Sequence, residues 1–215
     1  MIYHIGEKWI AFLTILFFIM MALTFFFPGY IMYSFLGILL FVWIMMFIHF
    51  RNPSIMIQAR DQEILSSSDG KIIRIDKTVP KEYIKSPCWL VSTYCSWFNS
   101  HINRIPTDGI IKFLKYSPGR FERPKNENSS YYNEQMIVGI QKKHYKLIVA
   151  QVAGRWTRKI VCRLWKEKKI NKGDVFGFIF FPCKIDLYLP LTAKIKVKVG
   201  DEVKAGLTVI GELKS

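Results

Sequence analysis

The sequence predicts a mostly β soluble domain, sandwich- or barrel-like, behind an α-helical transmembrane hairpin. Three observations predict it. Residues Trp9 to Phe27 and Tyr30 to Phe50 carry no formal charge, and each run has the length that crosses a hydrocarbon core as a helix. Beyond residue 50, short apolar runs alternate with Gly, Pro, Asn and Ser clusters, the punctuation of strands and turns. The whole formal net charge of +15 also lies beyond residue 50, because Glu7 and Lys8 cancel.

The hairpin comes first, as residues 1–50, with helices over about 9–27 and 30–50. Pro28-Gly29 leaves room only for a tight link. A signal-peptide reading of the first run fails for want of a basic leader and a small-residue cleavage site, and a second apolar run follows at once. Phe25, Phe26, Phe27, Tyr30 and Trp43 suit lipid and interfacial contacts, and Pro53 stops the second helix. Arg51, Arg60 and Lys71 follow closely, so the positive-inside bias places the soluble domain, residues 51–215, on the cytoplasmic face of a bacterial inner membrane. A basic domain tied to a membrane is matched by anionic headgroups. Nucleic acid is not expected as a partner, since no RNA-binding signature or basic repeat is present.

Within the domain, Ile64 to Ile75 alternates around Ser68-Asp69-Gly70 and reads as a hairpin, with Asp69 an ordinary turn residue on turn chemistry alone. Trp89 to Trp97 reads as a strand leading to His101, the one histidine set among polar groups in the motif-dense region. There it has the residue type that moves protons near neutral pH. Ile110 to Tyr116 is a short strand, Arg120 to Asn133 a long loop, and Met136–Ile140 and Tyr145–Val152 two strands around Lys142-Lys143-His144. The backbone state of Arg155 to Cys162 is left open, and Lys166 to Asp174 is a charged loop. Phe178 to Phe181 and Ile185 to Leu189 are two strands joined by a corner, Pro182-Cys183-Lys184. A lysine neighbour would favour the thiolate, and a corner exposes the sulfur; the plainer alternative is a buried, inert cysteine.

The four cysteines, Cys88, Cys95, Cys162 and Cys183, form no C-x-x-C pair. They are expected to be reduced thiols, with no structural metal. The tail from Ile195 to Leu213 turns at Gly200-Asp201 and Ala205-Gly206, and resembles the hairpins of biotinyl and lipoyl domains. It lacks the flanked carrier lysine of those domains, so it reads as lipoyl-like structural hairpins and not as a carrier.

Taken together, the motifs resemble the phosphatidylserine decarboxylase family in its short, membrane-anchored form. Phe50-Arg-Asn-Pro53 is similar to that family's F-F-R-[DN]-P, and Ser67-Ser-Asp-Gly-Lys71 to its S-P-A-D-G-K turn. His101-Ile-Asn-Arg-Ile-Pro-Thr-Asp-Gly109 resembles H-V-N-R-x-P-x-x-G. Tyr116-Ser-Pro-Gly119, Asn133-Glu134, Gln151-Val-Ala-Gly154 with Arg158-Lys-Ile-Val-Cys162, and Asp186-Leu-Tyr-Leu-Pro190 follow in the family's order. The likeness runs from about residue 47 to 213.

The resemblance implies a pyruvoyl-dependent carboxy-lyase that turns phosphatidylserine into phosphatidylethanolamine. In that family the chain cuts itself at a Gly-Ser bond, and the serine becomes the pyruvoyl group that acts as electron sink. Carried over, Asp69 and His101 assist cleavage and proton transfer, while Asn133, Glu134 and Arg158 are candidates for binding substrate. Two departures stand out: Pro182-Cys183 replaces Gly-Ser, and Asn99 stands where the family usually has Asp. The precursor of the cofactor is then Cys183, giving chains 1–182 and 183–215, and self-association is open. Two further readings stay open: an unprocessed, inactive phospholipid-binding pseudoenzyme, and a purely structural membrane protein.

Overall fold

The computed structural model describes residues 4–126, 128–157 and 159–214. These fall into two compact units, divided after Ser54. The first is a helical hairpin, α1 (His4–Phe26) and α2 (Tyr30–His49). Both helices are long and apolar enough to cross a membrane. The Trp43 indole donates to Thr14 Oγ1 at 2.9 Å, tying the pair together at a polar point that would otherwise lack a partner in lipid.

The second unit is β-rich. Its strands are β1 (Glu63–Leu65), β2 (Gly70–Thr78), β3 (Cys88–Cys95), β4 (Ile102–Arg104), β5 (Gly109–Ser117), β6 (Gln135–Lys142) and β7 (Tyr145–Val152). They continue as β8 (Ile160–Cys162), β9 (Lys169–Ile170), β10 (Val175–Ile179), β11 (Cys183–Pro190), β12 (Lys194–Ile195), β13 (Glu202–Val203) and β14 (Val209–Glu212). A single helical turn, α3 (Ser129–Tyr132), interrupts the long loop before β6. Eight strands form one antiparallel sheet in the order β13-β2-β3-β11-β7-β6-β5-β9. Two three-stranded sheets, β1-β14-β12 and β4-β10-β8, complete the unit.

The period-two pattern of β11 explains its central place. Cys183, Ile185, Leu187 and Leu189 enter the main core, where they join Val91, Val149, Phe176, Ile179 and Ile210. Lys184, Asp186 and Tyr188 face the other way, and Tyr188 joins a second cluster with Cys88, Leu90 and Ile148. β6 and β7 are joined by Lys143-His144, with Lys143 in the left-handed region (φ 52°) that a two-residue hairpin demands. In the tail, Gly200 (φ 101°) and Gly206 (φ 72°) make the turns that the sequence places there.

Two local expectations change. The stretch Ile64–Ile75 is not a hairpin: β1 pairs with β14, whereas β2 pairs with β3 and β13. The Ser66 amide bonds to Thr208 O, and Gly206 N–H to Ser66 O, so the C-terminal turn takes the place a β2 partner would have filled. The corner after β10 also sits earlier than expected, because Cys183 is already the first residue of β11.

Candidate active site

Strand register builds the site. Cys183 lies opposite Cys95 at the end of β3, and Lys184 opposite Tyr94, whose other neighbour is Lys71 on β2. The starts of β2 and β11 and the end of β3 therefore meet at one end of the large sheet. His101 arrives from the loop before β4, which β10 pins by an Ile179 N–H bond to His101 O at 3.2 Å. Its Nδ1 lies 3.8 Å from Cys183 Sγ, and its Nε2 lies 3.1 Å from Ser96 O. Donation from Nε2–H to that carbonyl leaves Nδ1 as an acceptor facing the thiol. Asn99 shapes the turn that presents Ser96: its Oδ1 accepts from the Ser96 amide at 2.8 Å and from the Ser96 hydroxyl at 2.7 Å.

Cys183 and His101 are both fully buried. Burial pushes the Cys183 thiol well above the usual thiol range, and the neighbouring Cys95 pushes it the same way. This overturns the picture of an exposed thiolate helped by lysine. Consecutive strand residues point to opposite faces, so the Lys184 amine is on the far side of the sheet, 2.7 Å from Ser129 Oγ and 2.6 Å from Ser130 Oγ. It also lies 3.6 Å from Asp186, whose other oxygen accepts from the Ser92 hydroxyl at 2.6 Å. Burial lowers the Lys184 pKa and Asp186 opposes that shift.

The carbonyl preceding Cys183 is held as tightly as the thiol. Thr157, fully buried, donates from Oγ1 to Pro182 O at 3.3 Å and accepts from the Gly154 amide at 2.9 Å. A Cβ on Gly154 would stand 2.0 Å from Pro182 O, so only glycine lets this turn close on the carbonyl. Ahead of the bond, Phe181 sits in the left-handed region (φ 61°), a strained state for a bulky residue that costs about 1–2 kcal/mol. Its ring packs on Trp97, with centroids 5.2 Å apart.

A thiol, an imidazole and a hydroxyl-bonded carbonyl thus meet in one buried corner. Such an arrangement suits an acyl shift from nitrogen to sulfur at the Pro182–Cys183 bond.

The remaining candidates are placed as follows. Asp69 is buried at the same end of the sheet, two strands from Cys183, roughly 10 Å by strand spacing. Its carboxylate accepts from the Ala205 amide at 2.9 Å and lies 3.8 Å from the Lys204 ammonium. Asn133 is buried, and its amide is spent on backbone: Nδ2 donates to Glu122 O and Ala153 O, and Oδ1 accepts from Glu122 N–H. Glu134 bonds through its backbone to Arg120 and Ala153. Together these two residues clamp the 120–134 loop to the end of β7. Arg158 lies outside the described residues.

Thr157, Gly154, Ser96 and Cys95 are the site residues that sequence reasoning missed. Gly154 followed by a threonine three residues later was the only local signal, a turn with a hydroxyl placed to cap it. Among the described residues, no group of three or more His, Cys, Asp or Glu side chains is placed to hold a metal ion.

Comparison with known proteins places this geometry. The family model described as phosphatidylserine decarboxylase matches residues 43–211. A protein of Cytophaga hutchinsonii named phosphatidylserine decarboxylase proenzyme is 36% identical over 181 residues, covering 84% of this chain and 81% of its own. Proteins of the same name from Syntrophus aciditrophicus and Prosthecochloris aestuarii are each 37% identical, over 75% and 76% of this chain and 76% and 75% of their own. The chain belongs to the phosphatidylserine decarboxylase family.

Proposed function

We propose that this chain is a self-processing, membrane-anchored decarboxylase of phosphatidylserine whose pyruvoyl group arises from Cys183. One observation carries the reading: the Cys183 thiol faces an imidazole acceptor while the carbonyl it must attack is bound by Thr157. A pyruvoyl precursor needs a nucleophilic heteroatom on the β-carbon of residue 183, and Sγ meets that need.

The steps follow from the side chains present. His101 Nδ1 takes the thiol proton as Sγ attacks the Pro182 carbonyl carbon, and the Thr157 hydroxyl stabilises the oxyanion. The C–N bond breaks, the Cys183 nitrogen receives the proton back from His101, and a thioester remains. Loss of the Cys183 α-proton then expels sulfur as the thiocarboxylate of Pro182, breaking the Cβ–S bond. The dehydroalanine left on the shorter chain takes up water and releases ammonia to become pyruvoyl. Once formed, that group supplies an electron sink for loss of carbon dioxide from an amine substrate. His101 remains beside it as a proton carrier.

The fold also suits a lipid substrate. Trp97, Phe98 and Trp156 are exposed on the loops around this corner, and interfacial aromatics of this kind favour a headgroup region. The two apolar helices hold the chain at a membrane, and the basic domain belongs on the face rich in anionic lipid.

The test is conversion of phosphatidylserine vesicles to phosphatidylethanolamine and carbon dioxide by the full-length protein in lipid. Wild type is expected to do so, and Cys183→Ala is expected to remain one chain with no turnover. Turnover by Cys183→Ala equal to wild type would overturn the proposal.

A further inference from the structure

The two halves of the site belong to different sheets. Cys183 opens β11 of the large sheet, whereas His101 immediately precedes β4 of the β4-β10-β8 sheet. Their 3.8 Å separation is therefore set by how β4 lies against the large sheet. A second polar contact between the sheets runs beside it. Two residues on from His101, Asn103 Oδ1 accepts from Gln151 Nε2 at 2.7 Å. Gln151 sits on β7 opposite Ile185, which is two residues on from Cys183, so strand alternation puts it on the face that carries Cys183. The same Nε2 reaches Val161 O on β8 at 3.3 Å, so the Gln151 amide lies across the smaller sheet. Gly177 on β10 leaves the room for it, since a Cβ there would stand 2.6 Å from Nε2.

Stability does not account for this pair. Asn103 and Gln151 are fully buried, and among the described residues Asn103 Nδ2 and Gln151 Oε1 meet no hydrogen-bond partner. Two apolar side chains of the same shape can replace such a pair at little or no loss of stability. What a directional bond adds is register between the packed elements.

We propose that Asn103 and Gln151 are positioning residues for self-cleavage: their bond pins β4 on the large sheet so that His101 meets both Cys183 and Ser96 O. Ser96 directly follows β3, so both contacts of the imidazole are with the large sheet and its edge. The thiol contact is long, and a slip of about 1 Å is expected to cost about 10²-fold in rate. The inference rests on the self-cleavage reading of Cys183.

The test is Asn103→Leu/Gln151→Met, which removes both amides at nearly constant volume, in the full-length protein. Cleavage followed by intact mass after cell-free synthesis is expected to slow about 10²-fold. Built into His101→Ala, the same pair is expected to slow cleavage less than about twofold, because its effect passes through the imidazole. In Cys183→Ala, where both chains stay whole, the pair should leave the urea midpoint unchanged or raised. Equal slowing with and without His101 overturns the inference and leaves self-cleavage standing, and so does a lowered urea midpoint.

A second readout needs no cleavage. In Cys183→Ala labelled with ¹⁵N-histidine, the His101 ring, assigned through His101→Gln, is expected to show one protonated and one bare nitrogen, because Ser96 O holds Nε2–H. Adding Asn103→Leu/Gln151→Met should average the two signals, and unmoved signals overturn the inference. A wild-type chain that never cleaves removes the self-cleavage reading, and these signals then decide alone whether the pair holds His101.

Discussion

Replacing Thr157 by valine keeps the volume of the side chain and removes its hydroxyl. In the folded protein that hydroxyl lies 3.3 Å from Pro182 O, the carbonyl oxygen of the proposed cleavage bond. Loss of one oxyanion donor costs about 10²–10³ in rate, or about 2.7–4 kcal/mol. The bond is near the long end of the hydrogen-bond range, so the lower figure applies, about 10²-fold. The substitution also leaves the buried Gly154 amide without its acceptor, which costs the fold about 1–3 kcal/mol. Thr157→Ser separates the two effects from packing, because it restores donor and acceptor while losing only a methyl group. The assay is the time course of chain cleavage by intact mass after cell-free synthesis, with circular dichroism as the check on folding. Cleavage of a folded Thr157→Val chain at the wild-type rate would refute the role assigned to this hydroxyl.

Other consequences follow from the same geometry. His101→Ala should slow cleavage by about 10²–10⁴-fold, read by the same mass assay. With the imidazole present as base, the wild-type rate should vary less with pH than that of the variant. In His101→Ala it should keep climbing into alkaline pH, because burial holds the Cys183 thiol neutral well above the usual thiol range. Gly154→Ala should block cleavage more completely than Thr157→Val, since its methyl would meet Pro182 O at 2.0 Å, and mass would show a single chain. Lys184→Met should lower stability by about 3–5 kcal/mol in urea unfolding, because it leaves the buried Asp186 carboxylate uncompensated.

Much of this was legible in the sequence because it depends on local pattern. The charge-free runs before residue 50, the strand around Trp89–Trp97, the β6–β7 pair and the tail turns all follow from periodicity and turn residues. His101 and Cys183, 82 residues apart, could be named from motif order alone. What local pattern does not carry is the choice of partner strand. That is why Ile64–Ile75 reads as a hairpin yet divides between two sheets. The same limit explains the thiol. Placed on a corner, Cys183 borrows the charge of Lys184; placed one residue into a strand, the two point to opposite faces and the thiol is buried. Thr157 was hidden for a related reason: its partner oxygen is 25 residues away, across a stretch whose backbone state the residue pattern left undetermined.

The central claim is that Cys183 becomes a pyruvoyl group. Intact mass of the full-length protein purified from membranes, read with a carbonyl-reactive label, tests it most directly. The account predicts two chains, 1–182 and 183–215, with the label on the shorter. It further predicts that the longer chain, when freshly cut, carries sulfur in place of one terminal oxygen. A single unlabelled chain of full length would contradict it.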